Sequence, residues 1–249
     1  MDRSTLQRIQ NKSGVSKMAK WKQIQKYSSH VPSPLENLNK KRSLTSSVLL
    51  LDATPVRILG RKNFISIAYD TALGVVNYKI SRTENKKTYR NILKELNGIG
   101  YKPICVVSDG NIGLKLLLHE EKYPHQRCVV HLLRDLERLL GKQKGKKLKG
   151  NSLCIYNEIR DLWYTKRIED LPQEIGDYFG KEWLVKWVKK TLPNALLHLS
   201  YEENVPNSNN ILENFNGQIK QRIKTMRGVK SRVSLYNWLK IFFYFRNYK

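Results

Sequence analysis

The sequence predicts an α/β fold in which a mixed sheet is flanked by helices and interrupted by a helical insertion. Between residues 48 and 130, short apolar and alternating runs typical of strands are separated by segments with helical apolar spacing. Residues 151–200 are predicted to be helical and carry no strong strand pattern. Hydrophobic residues make up 40% of the 249 residues, which is enough for a substantial core and excludes a disordered basic tail.

The strands are predicted from continuous or alternating apolar runs. Residues 48–51 form a continuous apolar run, which is typical of a buried strand. Two further runs, 64–69 and 75–80, flank a glycine-containing loop and predict a hairpin. Residues 104–108 and 127–130 predict two more short strands.

The helices are predicted from apolar spacing and from their end signals. In 86–97, four apolar residues recur on one helical face, and Gly98 and Gly100 end the helix. Further helices are predicted at 112–119, 131–140, 208–226 and 233–247. The order of three strands, helix, strand, helix, strand, helix matches an RNase H-like core.

Four regions are expected along the chain. Residues 1–47 form a loosely organised basic segment, in which Ser4 could cap a helix start and 31–34 favour an extended linker. The first part of the core occupies 48–140. A helical insertion that begins with a solvated basic loop occupies 141–206, and the C-terminal helices of the core occupy 207–249.

The charge of the chain indicates a polyanionic partner. The 46 Lys and Arg residues exceed the 21 Asp and Glu residues, which gives a net charge of +25. Residues 207–249 contain nine basic residues and a single acid. Nucleic acid is the first expectation and an acidic membrane surface the second.

Targeting and disulfide signals are absent from the sequence. The N-terminus has no apolar signal-peptide region, and the longest apolar runs are too short to span a bilayer. Three cysteines are too few for a disulfide framework, so we expect reduced thiols in the cytoplasm or nucleoid.

Two aspartates follow predicted strands. Asp52 comes directly after the apolar run 48–51, and Asp109 directly after 104–108. Carboxylates at such strand ends are held where α/β proteins place ligands, which favours a paired site. Alternatively, Asp52 stabilises a bend before Pro55, and Asp109 caps the following helix.

Glu213 is the third candidate acid. It lies beside the apolar stripe of the predicted helix 208–226, on the flank that also carries Asn210, Asn216, Lys220 and Lys224. Alternatively, it is a surface glutamate that offsets a nearby lysine or arginine. Three carboxylates from two strands and a helix suit two Mg²⁺ or Mn²⁺ ions, which prefer oxygen ligands and promote in-line phosphoryl displacement.

A cluster of histidines and a cysteine lies between the second and third acids. His119, His125, Cys128 and His131 fall within 13 residues, which invites a zinc interpretation. A second ligand pair with the usual spacing is missing, so a buried cysteine beside a hydrogen-bonded histidine is the alternative. His131 could also contact DNA phosphate or position an acid.

The three acids and Cys128-x-x-His131 together resemble the DDE transposases of the mutator-like and related bacterial and archaeal insertion-sequence families. Those families place Asp, Asp, a Cys-x-x-His step and Glu in this order on an RNase H-like fold, with a helical insertion before the Glu. The islands in this chain are Leu51-Asp52-Ala53-Thr54, Ser108-Asp109-Gly110, Arg127-Cys128-Val129-Val130-His131-Leu132 and Asn210-Ile211-Leu212-Glu213-Asn214-Phe215-Asn216. The resemblance covers roughly 48–245.

The resemblance implies metal-dependent cleavage at the ends of a mobile element, followed by attack of the freed 3′-hydroxyl on target DNA. Asp52, Asp109 and Glu213 would bind two Mg²⁺ or Mn²⁺ ions, and Cys128 and His131 would be an accessory pair. The implied partners are element-end and target DNA, with a homo-oligomer assembled on the DNA. The candidate phosphate contacts are Lys220, Arg222, Lys224 and Arg227.

The N-terminal region departs from the family pattern. Family members usually carry a DNA-binding domain before the core, whereas 47 residues precede the first predicted strand here. Residues 4–10 look like the end of a helix-turn-helix recognition helix, so we expect a truncated copy or a start encoded elsewhere. A catalytically idle DNA-binding relic or inhibitor is therefore an alternative. A general RNase H-like nuclease is another, because it would share the three acids without requiring Cys128 and His131.

Overall fold

The computed structural model describes residues 16–40, 47–164, 182–201, 204–225 and 229–247. The chain divides into two compact units, Met1–Ile104 with Asn210–Lys249 (the first unit) and Cys105–Asn209 (the second unit). The strands are β1 Val48–Ile58, β2 Arg61–Asp70, β3 Gly74–Ser81, β4 Cys105–Ser108 and β5 His125–Arg127. The helices are α1 Lys17–Tyr27, α2 Pro34–Asn39, α3 Lys86–Gly98, α4 Ile112–Glu120, α5 Val129–Leu139, α6 Gly150–Tyr164, α7 Glu182–Ala195, α8 Asn210–Thr225 and α9 Arg232–Asn247, with a 3₁₀ turn at Leu197–Ser200.

The first unit begins with two helices in a segment that was expected to be loosely organised. α1 is capped by Ser16, and α2 starts with a capping box in which the Ser33 hydroxyl accepts from the Glu36 amide. Pro34 occupies the first turn of α2, where its missing N–H costs nothing. The prediction of an extended linker at 31–34 is therefore wrong at Pro34, and the helix start predicted at Ser4 lies outside the described residues.

Three antiparallel strands form the sheet of the first unit, in the order β3-β2-β1. β1 and β2 are joined by Leu59 and Gly60, which have φ values of 49° and 76°. Two consecutive positive φ values are typical of a type I′ hairpin turn. The β2–β3 hairpin lies where the sequence predicts it.

β1 is longer than the sequence predicts. It continues through the predicted bend to Ile58, with Thr54 and Val56 buried and Pro55 and Arg57 exposed. Asp52 therefore lies within a strand, opposite Ile67 of β2, and not at a strand end. Pro55 suggested a turn because proline lacks the N–H that a strand ladder uses, but here it is accommodated within the strand.

Helices cover the sheet of the first unit. α3 packs against β2 and β3, α8 against β1, and α9 against β3, α1 and α2. Aromatic rings fill these contacts: Tyr78 of β3 packs edge-on against Phe243 of α9, and Phe243 stacks on Phe215 of α8. α8 is thereby held in a fixed position against β1.

The second unit contains two parallel strands and the predicted helical insertion. β4 and β5 pair with Val106 opposite His125, and α4 connects them. α5, α6 and α7 share an apolar core whose buried members include Leu132, Ile159 and Trp163. The strand predicted at 127–130 is wrong beyond Arg127, because α5 begins at Val129.

The fold class predicted from the sequence, RNase H-like α/β, is confirmed. Three antiparallel strands are followed by alternating helices and parallel strands, in the predicted order. Among the described residues, no helix has the length and apolar character needed to cross a bilayer.

Candidate active site

Asp52, a candidate site residue, lies in β1 of the first unit. Its Oδ1 accepts a hydrogen bond from the Ala53 backbone N–H at 2.8 Å, and its Oδ2 accepts from Nδ2 of Asn216 at 2.8 Å. The carboxylate is half-buried and fixed in orientation between a strand and a helix.

Glu213 lies one helical turn before Asn216 on α8. Residues three apart share a helix face, with Cβ atoms about 5–6 Å apart. Because Asn216 bonds to Asp52, the helix that carries Glu213 is tied in the first unit to the strand that carries Asp52. Glu213 is half-buried, unlike a solvated surface glutamate.

The predicted phosphate contacts of α8 have different surroundings. Lys220 and Lys224 are exposed and continue the helix face that carries Glu213. The guanidinium of Arg222 lies over the Phe242 ring at 5.2 Å, a cation–π contact that occupies one of its faces. Arg227 lies outside the described residues.

Asp109 lies in the second unit, in the turn after β4. Its Oδ1 accepts a hydrogen bond from the Asn111 backbone N–H at 3.0 Å. The cap of α4 is Asn111, whose Oδ1 accepts from the N–H groups of Gly113 and Leu114. The alternative in which Asp109 itself caps this helix is therefore wrong, and its half-buried carboxylate is not used as a cap.

The turn that holds Asp109 depends on Gly110. Gly110 has a φ of +90°, and a Cβ at this position would overlap the guanidinium of Arg127. Arg127 is held there by an ion pair with Asp135 at 3.0 Å. The turn next to Asp109 therefore requires glycine at position 110, both for its positive φ and for the space that the Arg127 guanidinium occupies.

We expect Gly110→Ala to lower the free energy of unfolding by about 2–4 kcal/mol, which combines the cost of a positive φ with the displacement of Arg127. Gly60→Ala is the matched control, because Gly60 has a φ of +76° and no atom within 4 Å of the added Cβ. The control should lose only about 1–2 kcal/mol. Denaturant unfolding measures both, and equal losses would show that Arg127 does not shape this turn.

Cys128 and His131 lie at the start of α5. Cys128 is the N-cap residue and is fully buried, and its Sγ accepts from the Asn209 backbone N–H at 3.3 Å. His131 lies in the first turn, half-buried, with its Nε2 3.3 Å from Nη1 of Arg134. The two residues therefore share one helix start, whereas the sequence predicts Cys128 within a strand and His131 at the start of the next helix.

The other two histidines of the predicted cluster lie elsewhere. His119 is exposed near the end of α4. His125 is buried, and its Nε2 lies 2.8 Å from Oγ of Ser108. Burial, together with the charges of Arg127 and Lys115, lowers the pKa of His125 to about 4. In the described part of the chain, neither histidine belongs to a group of three or more converging metal ligands.

The sequence analysis does not predict the long-range hydrogen bonds of two polar residues, Asn216 and Asp70. Asn216 was placed on the flank of α8, whereas it is buried and bonds to Asp52. Asp70 was read as part of a hairpin loop, whereas it is fully buried and accepts from the Tyr101 hydroxyl at 2.6 Å. The spacing of Asn216 from Glu213, one turn apart on the same face, is the signal that could have identified the first.

Comparison of the sequence with known families identifies the family of this α/β chain. The profile of the family described as "Transposase, Mutator family" matches residues 15–243. The chain therefore belongs to the Mutator family of transposases.

A curated relative and two solved structures are similar to the chain. The transposase for insertion sequence element IS1201 of Lactobacillus helveticus is 25% identical over an alignment of 232 residues, and the match covers 80% of this chain and 60% of that protein. The chain thus spans about 60% of the length of this relative.

The HTLV-2 integrase catalytic core domain in complex with magnesium is 15% identical, with a TM-score of 0.30 over 47% of this chain and 85% of that chain. A simian T-cell lymphotropic virus intasome in complex with the PP2A regulatory subunit B56 gamma is 13% identical, with a TM-score of 0.29 over 52% of this chain and 51% of that chain.

Proposed function

We propose that this transposase cleaves DNA strands at the ends of a mobile element and transfers the freed 3′-hydroxyl into target DNA, in a reaction that depends on divalent metal ions. The observation that carries the proposal is the hydrogen bond between Asp52 and Asn216. It ties the helix that carries Glu213 to the strand that carries Asp52, which supports assigning both carboxylates to one site. Family membership supplies the class of reaction, which is DNA transposition.

The donor atoms in the first unit fit Mg²⁺ or Mn²⁺. Asp52 and Glu213 offer carboxylate oxygens, which these hard cations prefer. We propose Asp109 of the second unit as the third carboxylate, and Cys128 and His131 as an accessory pair. Two bound ions would activate the attacking oxygen and stabilise the leaving oxygen of an in-line phosphoryl displacement.

The residues around the carboxylates orient and hold the substrate. The Ala53 N–H and the Asn216 amide fix the Asp52 carboxylate before DNA arrives, so no reorganisation is needed at that residue. Lys220 and Lys224 extend the same helix face toward solvent and are proposed to contact backbone phosphates. Arg222 already packs on Phe242, so we expect its contribution to phosphate binding to be smaller than theirs.

The proposal is tested with the purified protein and a DNA duplex that carries one end of the element, supplied both intact and pre-cut. We expect nicking of the intact end and strand transfer from the pre-cut end in Mg²⁺ or Mn²⁺, and neither product in excess EDTA. Salt-sensitive binding without any product would instead favour a catalytically idle DNA-binding protein. Preferential cleavage of an RNA–DNA hybrid would favour an RNase H-like nuclease.

A further inference from the structure

Asn216 combines deep burial with an unsatisfied oxygen. The residue is 3% exposed, and its Nδ2 donates to Oδ2 of Asp52 at 2.8 Å. Its Oδ1 is buried and has no hydrogen-bond partner in the described part of the chain. A buried polar atom without a partner costs about 1–3 kcal/mol, and native structures contain few of them.

The position of Asn216 Oδ1 suggests that it is a metal ligand. Asn216 contacts the Asp52 carboxylate directly and lies one helical turn from Glu213 on the same face of α8. The amide group thus lies against one candidate carboxylate and on the helix face that carries the other. Amide carbonyl oxygens are hard donors of the kind that Mg²⁺ and Mn²⁺ accept.

We propose that Asn216 belongs to the cation-binding group of the first unit and acts there in two ways. Its Nδ2–H fixes the Asp52 carboxylate in the orientation that binds the ion, and its Oδ1 supplies a third oxygen donor beside Asp52 and Glu213. This inference rests on the proposed metal-dependent function and adds a residue that the three-acid pattern does not contain. A cation bound there would supply the partner that the buried oxygen does not have among the described residues.

The test measures Mn²⁺ affinity by calorimetry or by electron paramagnetic resonance, together with thermal unfolding in the absence of metal. Asn216→Leu keeps the side-chain size and removes both polar atoms. We expect its unfolding midpoint without metal to change little, because losing the bond to Asp52 is offset by removing the buried unpaired oxygen, while Mn²⁺ affinity falls about 10–100-fold. A purely structural asparagine would give the reverse, a lower midpoint and unchanged affinity.

The matched control is Asn214→Leu, on the same helix at an exposed position. It should change Mn²⁺ affinity less than twofold. A folded Asn216→Leu protein that binds Mn²⁺ as tightly as the wild type would overturn the inference. The proposed function would be untouched by that result, because it depends on Asp52→Asn abolishing Mn²⁺ binding, which is measured in the same experiment.

Asn216→Asp decides the question if the leucine variant does not fold. It keeps an oxygen at the site and removes the N–H donor, so two carboxylates face each other when no ion is bound. We expect a lower unfolding midpoint without metal and a larger Mn²⁺-dependent increase than in the wild type, because a cation relieves the repulsion. An equal or smaller increase would contradict the assignment of Asn216 to the cation-binding group.

Discussion

Asp52→Asn, Asp109→Asn and Glu213→Gln should each reduce Mg²⁺-dependent nicking and strand transfer by about a thousandfold or more. Each substitution keeps the size of the side chain and removes a negative charge that would hold a cation. A bound metal ion contributes several kcal/mol of transition-state stabilisation, and every 1.4 kcal/mol or so corresponds to a factor of ten in rate. Single-turnover cleavage of an end-labelled duplex measures the loss for each variant.

The controls for this prediction separate chemistry from folding and from DNA binding. Asp161→Asn and Glu182→Gln remove acids whose side chains are 60% and 90% exposed, and both should nick at the wild-type rate. The three active-site variants should keep the wild-type unfolding midpoint and bind DNA with wild-type affinity or better. Full nicking activity in all three would refute the proposed catalytic role of these acids.

Asp70→Ala is expected to destabilise the first unit by roughly 3–5 kcal/mol without touching the proposed chemistry. Asp70 is fully buried, and its Oδ1 accepts from the N–H groups of Ala72 and Leu73 at 2.8 Å each. Its Oδ2 accepts from the hydroxyls of Tyr101, at 2.6 Å, and Ser47. Alanine would leave four buried or partly buried donors without this acceptor.

Graded substitutions test whether the hydrogen bonds carry this stability. Asp70→Asn retains one acceptor oxygen, so we expect it to cost less than Asp70→Ala. Tyr101→Phe removes a single hydroxyl from the network and should cost about 1 kcal/mol. Denaturant unfolding measures the series, and an Asp70→Ala variant within 0.5 kcal/mol or so of the wild type would contradict the prediction.

The regular elements were largely predictable because local patterns determine them. The apolar face of α3 and the hairpin at β2 and β3 lie where their periodicity predicts. The errors occurred where a local signal competed with long-range pairing. The Asp-Ala-Thr-Pro sequence suggests a bend, yet pairing with β2 keeps β1 extended from Val48 to Ile58. Near Cys128, the run 127–130 has the composition of a strand, yet a helix begins at Val129.

The sequence by itself determined the order of the three acids and the Cys-x-x-His step, since these are fixed by residue type and spacing along the chain. It also identified Glu213 as an exception in a basic segment. The tertiary structure decided which groups surround Asp52, because its partner Asn216 is 164 residues away in the chain. It likewise separated the structural acid Asp70, enclosed by donors, from the candidate catalytic acids. The residue type determines which chemistry an acidic side chain can perform. Whether hydrogen-bond donors or an open site surround its carboxylate depends on the tertiary structure.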